Sequence, residues 1–297
     1  MKNKNQKTVI EDEIVTERTI ERFTEDKKYT PVIIKRTDES VRHPGDILET
    51  AIKEGKSQID RHKLSLFLSA IAAGLILGFS AMAVGIVTQY NGSIDSSLLS
   101  RFLVALVYPL GFILCIMSGS QLFTEHTATA VYPYLDKQTS FTSLLKLWSL
   151  VILGNLIGCI VSSTLLSASN EIIDAKLGYF SIADHLIHQS STSLVVSAIL
   201  AGWLMALGGW LVLATPPTSS QIMCVYIVTF LIGFGQLHHS IAGTVEMLTA
   251  VFLGASITTI QVVKFIGLAL MGNLIGGSVF VAALNYAHIK KTQDLKS

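Results

Sequence analysis

Charged residues are scarce over most of this sequence. Of its 43 Asp, Glu, Lys and Arg residues, 27 lie in positions 1–63, and the 234 residues that follow carry only 16. A soluble domain carries more charge than that, so a soluble fold is excluded for this long C-terminal part. The formal net charge is +1, and both signs alternate closely in the charged head, which gives no basis for nucleic-acid binding.

Cysteine, signal-peptide and catalytic patterns are missing as well. Cys115, Cys159 and Cys224 lie far apart in apolar runs, so they form neither a disulfide framework nor a metal-ligand motif. The first 30 residues lack the apolar core of a signal peptide, so we expect the head to be retained. No nucleophile stands beside an oriented base, and the sequence therefore predicts no enzyme, no cofactor and no metal site.

Long apolar runs dominate the rest of the chain. Hydrophobic residues make up 50% of the sequence, and the mean hydropathy is +0.54. About 20 apolar residues are needed to cross the hydrocarbon core of a bilayer. Runs of that length lie at 64–88, 102–135, 144–166, 194–213, 222–252 and 265–288. The sequence therefore predicts six transmembrane spans in contact with membrane lipid.

The second and fifth spans are unusually long and are interrupted by glycine and polar residues at 118–121 and 233–236. A helix broken at membrane depth is tolerated only where the freed backbone groups face protein or a water-lined cavity. The motif G-N-L-I-G occurs at 154–158 and again 118 residues later, and Gln121 and Leu122 recur 115 residues later as Gln236 and Leu237. These matches predict an inverted three-plus-three repeat with two broken helices.

The distribution of basic residues predicts the topology. Fourteen Lys and Arg residues precede the first span, and Lys290, Lys291 and Lys296 follow the last, which indicates that both termini are cytoplasmic. We divide the chain into a charged N-terminal extension (1–43), an amphipathic lead helix (44–62), a six-span membrane domain (63–289) and a cytoplasmic tail (290–297).

The polar residues at the two breaks are the candidates for function, because ionisable groups inside a membrane are costly. The candidates are Gln121, Thr124, Glu125 and His126 at the first break, and Gln236, His238, His239, Ser240 and Glu246 at the second. Glu246 follows His239 by two helical turns and could line the same cavity. If the segment is helical, only one of its two histidines lines the pathway. The alternatives are hydrogen bonds between helices and a structural pair of Glu125 with a histidine across the breaks.

Several motifs together resemble those of the formate/nitrite transporters. They are a P-x-acidic start of the lead helix followed by A-x-x-x-G, an L-F-T at the first break, an H-S-I-A at the second, and the two G-N-L-I-G segments. The residues that carry them are Pro44, Asp46, Ala51, Gly55, Leu122, Phe123, Thr124, His239, Ser240, Ile241 and Ala242. The resemblance covers the chain from about Pro44 to the last span.

This resemblance implies an all-α, aquaporin-like bundle that assembles as a homopentamer with one pore in each protomer. It implies that Leu122 and Phe123 form part of a hydrophobic constriction. Thr124 and His239 would then meet near the membrane midplane as the pore centre. A weak-acid anion would be drawn to such a pore and protonated by or near the histidine, so that a neutral molecule crosses.

The sequence also departs from the formate-carrying members. It has Leu186 where they have a lysine, Gly202 where they have an asparagine, and His238 where they have a glutamate, and it adds the acids Glu125 and Glu246. We predict an inner-membrane channel or transporter for a small solute, such as a monocarboxylic acid or nitrite with a proton. The alternatives are a neutral or cationic permeant, because the two acids disfavour anions, and a membrane sensor or scaffold that acts through the N-terminal extension.

Overall fold

The computed structural model describes residues 43–91 and 97–294 of the 297-residue chain. The predicted N-terminal extension lies outside these residues except for His43, and so does the end of the predicted tail. The interpretation as a sensor or scaffold therefore stays a hypothesis.

Helices make up most of the described part of the chain. Its helices are α1 (Pro44–Asp60), α2 (Lys63–Ile76), α3 (Gly78–Tyr90), α4 (Ser97–Val107), α5 (Pro109–Met117), α6 (Phe123–Leu135), α7 (Phe141–Ala168), α8 (Asn170–Ile173), α9 (Lys176–Ile187), α10 (Ser191–Ala214), α11 (Thr218–Phe234), α12 (Ser240–Phe252), α13 (Thr259–Gly277) and α14 (Leu284–Asp294), with a π-helical segment, Ser278–Ala283, before the last.

Five crossings of the membrane follow from the lengths of these helices, and two shorter apolar helices account for a sixth. Within the described residues, five helical runs are long and apolar enough to cross a bilayer: Lys63–Tyr90, Ser97–Met117, Phe141–Ala168, Ser191–Ala214 and Thr259–Thr292. The predicted fifth span consists of two shorter apolar helices, α11 and α12, which together complete the sixth crossing. The prediction of a six-span, all-α membrane bundle is confirmed. The last helix continues to Asp294, so the first residues of the predicted tail are helical.

Both predicted helix breaks are present. One lies between α5 and α6 and the other between α11 and α12, so the second begins two residues later than predicted. Each break turns through a residue with positive φ, which is Gly119 at +69° in the first and Gln236 at +50° in the second. Each also contains the same backbone bond, from Ser120 N to Cys115 O and from Leu237 N to Ile232 O.

These equivalences correct the predicted register of the repeat at the breaks. The turn residues and the backbone bonds are related by a shift of 117 residues, not 115. Gln121 is therefore equivalent to His238, and Leu122 is equivalent to His239. The predicted match of Gln121 and Leu122 with Gln236 and Leu237 is wrong, because the backbone geometry sets the equivalence and the identical residue pair falls at different points of the two turns.

The asparagine of the first G-N-L-I-G motif holds the first break together. Asn155 Oδ1 accepts a hydrogen bond from Phe123 N at 3.0 Å. Its Nδ2 donates to Gln121 O at 3.0 Å and to Ala70 O at 2.8 Å. One fully buried side chain thus supplies the partners that the interrupted backbone lacks.

The asparagine of the second motif does the same at the second break. Asn273 Oδ1 accepts from Ser240 N at 2.8 Å, and Nδ2 donates to His238 O at 3.0 Å and to Ala198 O at 2.7 Å. We call Asn155 and Asn273, each with these three bonds, the asparagine clamps. Their matching geometry shows that the two halves of the bundle are structural repeats.

The glycines of the same motifs allow neighbouring helices to approach closely. A Cβ on Gly158 would lie 2.2 Å from Ile71 O, and one on Gly276 would lie 2.2 Å from Ile199 O. Small residues at membrane helix interfaces permit such contacts. The close approach brings each asparagine within reach of the break that it stabilises.

Replacing a clamp asparagine should destabilise the bundle strongly. Asn155→Ala leaves a buried N–H and two buried carbonyls without this partner, which we expect to cost about 3 kcal/mol, and Asn273→Ala should cost a similar amount. The measurement is the thermal unfolding midpoint in detergent. Asn170→Ala is the control, because it removes a single 3.3 Å bond to Ala175 N in a partly exposed turn. A midpoint for either clamp variant equal to that of the control would contradict this role.

The equivalence of Gly119 and Gln236 can be tested by exchanging residue types. Gly119→Ala should lower the free energy of unfolding by about 1 kcal/mol, because a side chain is strained at positive φ although its Cβ would meet nothing within 4 Å. Gln236→Gly should raise it by a similar amount. Gly267→Ala is the matched control, since its Cβ also meets open space but its backbone is ordinary helix. A loss in Gly267→Ala equal to that in Gly119→Ala would argue against strain.

Candidate functional site

The two breaks meet at a contact between their side chains. His239 Nε2 lies 2.7 Å from Thr124 Oγ1, and the two residues are 2% and 0% exposed. Thr124 is in the first turn of α6, and His239 is the residue that precedes α12. The structure therefore brings together the two residues that were predicted as the pore centre.

The backbone of α12 defines the tautomer of His239. Its Nδ1 accepts a hydrogen bond from Ala242 N at 3.2 Å, so the side chain caps the helix. In a neutral imidazole with Nδ1 as an acceptor, the ring proton is on Nε2. His239 therefore donates its only N–H to Thr124 Oγ1. The ring of Phe112 packs edge-on against it, with 4.9 Å between ring centroids.

A cavity of about 260 Å³ leads to this contact. The lining of the cavity includes the last turn of α3 and the first turn of α4. The cavity therefore lies where the first span ends and the second begins, at the opposite end of the first span from Lys63. Its polar lining residues are Thr88, Ser100, Arg101, Tyr108, Ser181, His185, Gln236, His238, His239 and Glu246. The cavity thus extends from the exposed Arg101 to the buried His239.

Two comparisons with known proteins show the family of the chain. The family model described as "Formate/nitrite transporter" matches residues 45–287. The inner membrane protein YfdC of Escherichia coli strain K12 is 32% identical over 250 residues, covering 82% of this chain and 78% of YfdC.

The chain belongs to the formate/nitrite transporter family.

Solved structures show the same fold. An "FNT family ion channel" aligns with a TM-score of 0.73 and 19% identity, covering 82% of this chain and 98% of that one. A "pentameric formate channel with formate bound" aligns with a TM-score of 0.65 and 20% identity, covering 76% of this chain and 97% of that one. The protein is therefore an integral membrane protein with the fold of this transporter family, and its family is one of transporters and not of enzymes.

Two of the departures from the formate-carrying members of the formate/nitrite transporter family have structural explanations. Gly202 lies so close to the clamp of the second break that a Cβ would be 2.3 Å from Asn273 O, which excludes the family's asparagine in this packing. Leu186, at the position of the family's lysine, lines the cavity. The lysine is therefore replaced by an apolar side chain in the cavity wall.

Both histidines of the second break line the cavity, and the prediction that only one of them does so applied to a helical segment. The segment before α12 is not helical. His238 also contacts a neighbouring helix, since its Nδ1 lies 2.8 Å from Ser197 Oγ. Its Nε2 is buried and has no hydrogen-bond partner among the described residues.

Gln236 is exposed and lines the cavity. Four other predicted site residues are buried at the breaks and do not line it: Gln121, Leu122, Phe123 and Ser240. Gln121 donates to Gln58 Oε1 of the lead helix at 3.3 Å. Leu122 and Phe123 are 0% and 2% exposed. Ser240 is fully buried, and its N–H is bound by the clamp of the second break.

The two acids have different surroundings. Glu125 is 7% exposed, and its Oε2 lies 3.5 Å from Nδ1 of His126, the next residue. The alternative of a structural pair with a histidine across the breaks is therefore not what the structure contains. Glu246 is 6% exposed and lines the cavity with His239, as its spacing predicts. No group of three His, Cys, Asp or Glu residues among those described could hold a metal ion.

Sequence reasoning missed two basic residues of the cavity, Arg101 and His185. Arg101 was not predicted as a site residue, but its side chain lines the cavity. Burial and the nearby positive charge of Arg101 lower the pKa of His185 in α9 below its ordinary value. The place of His185 just before the fourth span was the available signal.

Proposed function

We propose that the protein is a channel or transporter that moves a small monocarboxylate or nitrite together with a proton. The observation that carries this proposal is the buried contact between Thr124 and His239 at the inner end of the cavity. Family membership supports the substrate class. The family model is described as a formate/nitrite transporter, and one structural neighbour is a formate channel with formate bound.

The buried contact suits a neutral form of such a solute. A bare charge near the bilayer midplane is costly, so a small acid crosses most easily with its proton. At the inner end of the cavity, the Nε2–H of His239 and the hydroxyl of Thr124 are the groups available to bind oxygen atoms of the solute. Leu122 and Phe123 are proposed to form the apolar constriction beyond them, because both are buried at the adjacent break.

The assembly and location are part of the same proposal. A homopentamer with one pore in each protomer is supported by the pentameric structural neighbour. An inner-membrane location is supported by the relationship to the inner membrane protein YfdC. The positive charge at both ends of the chain supports cytoplasmic termini. The extension (1–43), lead helix (44–62), membrane domain (63–289) and tail (290–297) are the proposed domains.

A second candidate is a pathway for a neutral or cationic small molecule. It is favoured by the two acids, because Glu246 lines the cavity and Glu125 is buried with Oε2 lacking a hydrogen-bond partner among the described residues. Fixed negative charges near a narrow path repel anions.

Removing the imidazole donor should abolish transport of the weak acid. In proteoliposomes, His239→Phe should reduce formate or nitrite uptake at least about tenfold, because no N–H remains to bind the solute oxygen, while wild-type uptake should rise as the pH falls. Thr124→Ser should retain most of the rate and Thr124→Val should not. Uptake is measured by stopped-flow detection of the internal pH.

The control for this experiment is His188→Phe, which replaces a largely exposed histidine outside the cavity. It should leave the rate unchanged. Wild-type uptake no faster than that of empty liposomes, for every small anion tested, would refute the proposed substrate class.

The two candidate functions differ in the effect of Glu125. We expect Glu125→Gln to raise formate flux severalfold relative to ammonium flux, because glutamine replaces a buried acid near the path with a side chain that cannot become negatively charged. The flux ratio is obtained from reversal potentials and swelling rates, with the exposed Glu171→Gln as the control. Ammonium flux that exceeds formate flux in the wild type and falls in Glu125→Gln would favour the second candidate.

A further inference from the structure

Glu246 is a buried carboxyl group in the wall of the cavity. It lies in α12, two turns beyond His239, and both residues line the same space. It makes no ion pair with any residue that the structure describes. An isolated buried carboxylate is far more costly than the neutral acid, so this position suits a group that carries a proton.

His239 is poorly placed to deliver a proton itself. Its ring has a single proton, on Nε2, and losing that proton would leave an imidazolate. A second proton would have to go to Nδ1, which would break the capping bond from Ala242 N. It would also put a positive charge at the N-terminus of α12, where the helix dipole is unfavourable to cations. His239 therefore serves as a neutral hydrogen-bond donor.

The groups around Glu246 come from several elements. Arg101 of α4, Tyr108 before α5, His185 of α9 and the two histidines of the second break line the cavity with it. Tyr108 and Tyr179 are close enough to be influenced by its charge. Arg101 is the permanently charged cation of this set, and it is exposed at the mouth of the cavity.

We propose that Glu246 is the acid that delivers the proton to an anionic solute in the cavity. This inference rests on the proposed function and names the proton donor of that transport. The O–H bond of the protonated carboxyl group breaks and leaves its electron pair on Glu246 as a carboxylate. A new O–H bond forms on an oxygen of formate or nitrite, and the neutral acid moves on to His239 and Thr124. Hydronium from water on the cavity side then reprotonates Glu246.

The anion and the proton are coupled through the small volume of the cavity. Two negative charges within about 260 Å³ of weakly hydrated space repel each other strongly. A bound anion therefore favours the protonated form of Glu246, and deprotonation of Glu246 favours release of the solute in its neutral form. Arg101 at the mouth offsets part of the cost of admitting the anion.

The transport test compares Glu246→Gln with the wild type in proteoliposomes. Glutamine keeps the size of the side chain but has no acidic proton, so maximal formate uptake should fall at least about tenfold at neutral pH. The half-saturating concentration should stay the same or decrease, because a source of repulsion is lost. The deficit should shrink at low pH, where formic acid itself is more abundant, and Glu246→Asp should restore part of the rate.

Asp184→Asn is the matched control, since it neutralises an exposed acid on α9 that does not line the cavity. It should change neither the rate nor the pH profile. An unchanged maximal flux and pH profile in Glu246→Gln would overturn the inference. A uniform loss of flux at every pH would also overturn it, because that result indicates a purely structural role.

A second measurement does not depend on transport. Infrared difference spectra of the purified protein at neutral pH should contain the carbonyl band of a protonated carboxylic acid that is absent in Glu246→Gln and shifts on addition of formate. If the wild type moves no small anion, the proposed function fails. The infrared band still shows whether Glu246 is protonated. Absence of the band, or a band that does not respond to formate, would refute the inference.

Discussion

The architecture depends on one constraint, which is that a helix interrupted inside the membrane must have its freed backbone groups satisfied by protein. Asn155 and Asn273 meet this constraint in the same way, each bonding a carbonyl in the break, the first N–H of the half-helix that follows and a carbonyl of a neighbouring helix. Without these bonds, the breaks would expose unpaired backbone N–H and C=O groups to the hydrocarbon of the bilayer, which offers no hydrogen-bond partners. The breaks in turn bring the starts of α6 and α12 together in the interior, where Thr124 and His239 meet.

The repeat places different chemistry at equivalent positions. Leu122 and His239 are related by the 117-residue shift, and both precede a half-helix with extended backbone. Leu122 offers the helix no side-chain cap, whereas His239 accepts from Ala242 N and so holds its Nε2–H toward the other half. One break thus supplies an apolar surface and the other a hydrogen-bond donor. A pseudo-symmetric scaffold therefore gives an asymmetric pathway.

The fold could be predicted well because the sequence patterns that indicate it are either local or repeated along the chain. Apolar runs, interruptions by glycine and the two G-N-L-I-G motifs gave the spans, the breaks and the duplication. The sequence did not predict the role of Asn155 and Asn273, because their partners lie 32 or more residues away. It gave the wrong register at the breaks because the shared Gln-Leu pair has no equivalent backbone role. Arg101 and His185 were missed because only the packing of α4 and α9 brings them to one cavity.

The departures from the formate-carrying members redistribute charge along the cavity. Leu186 replaces the family's lysine in the wall, whereas Arg101 stands exposed near the mouth and Glu246 lies deep inside. An exposed charge acts through water and is screened within about 8–10 Å at physiological salt. A buried group is screened much less, so its protonation has a larger effect on a solute beside it. Attraction of an anion at the mouth and selection of its neutral form deeper inside are therefore separate functions here. The carboxyl group of Glu246 favours the neutral acid in the cavity that it shares with His239.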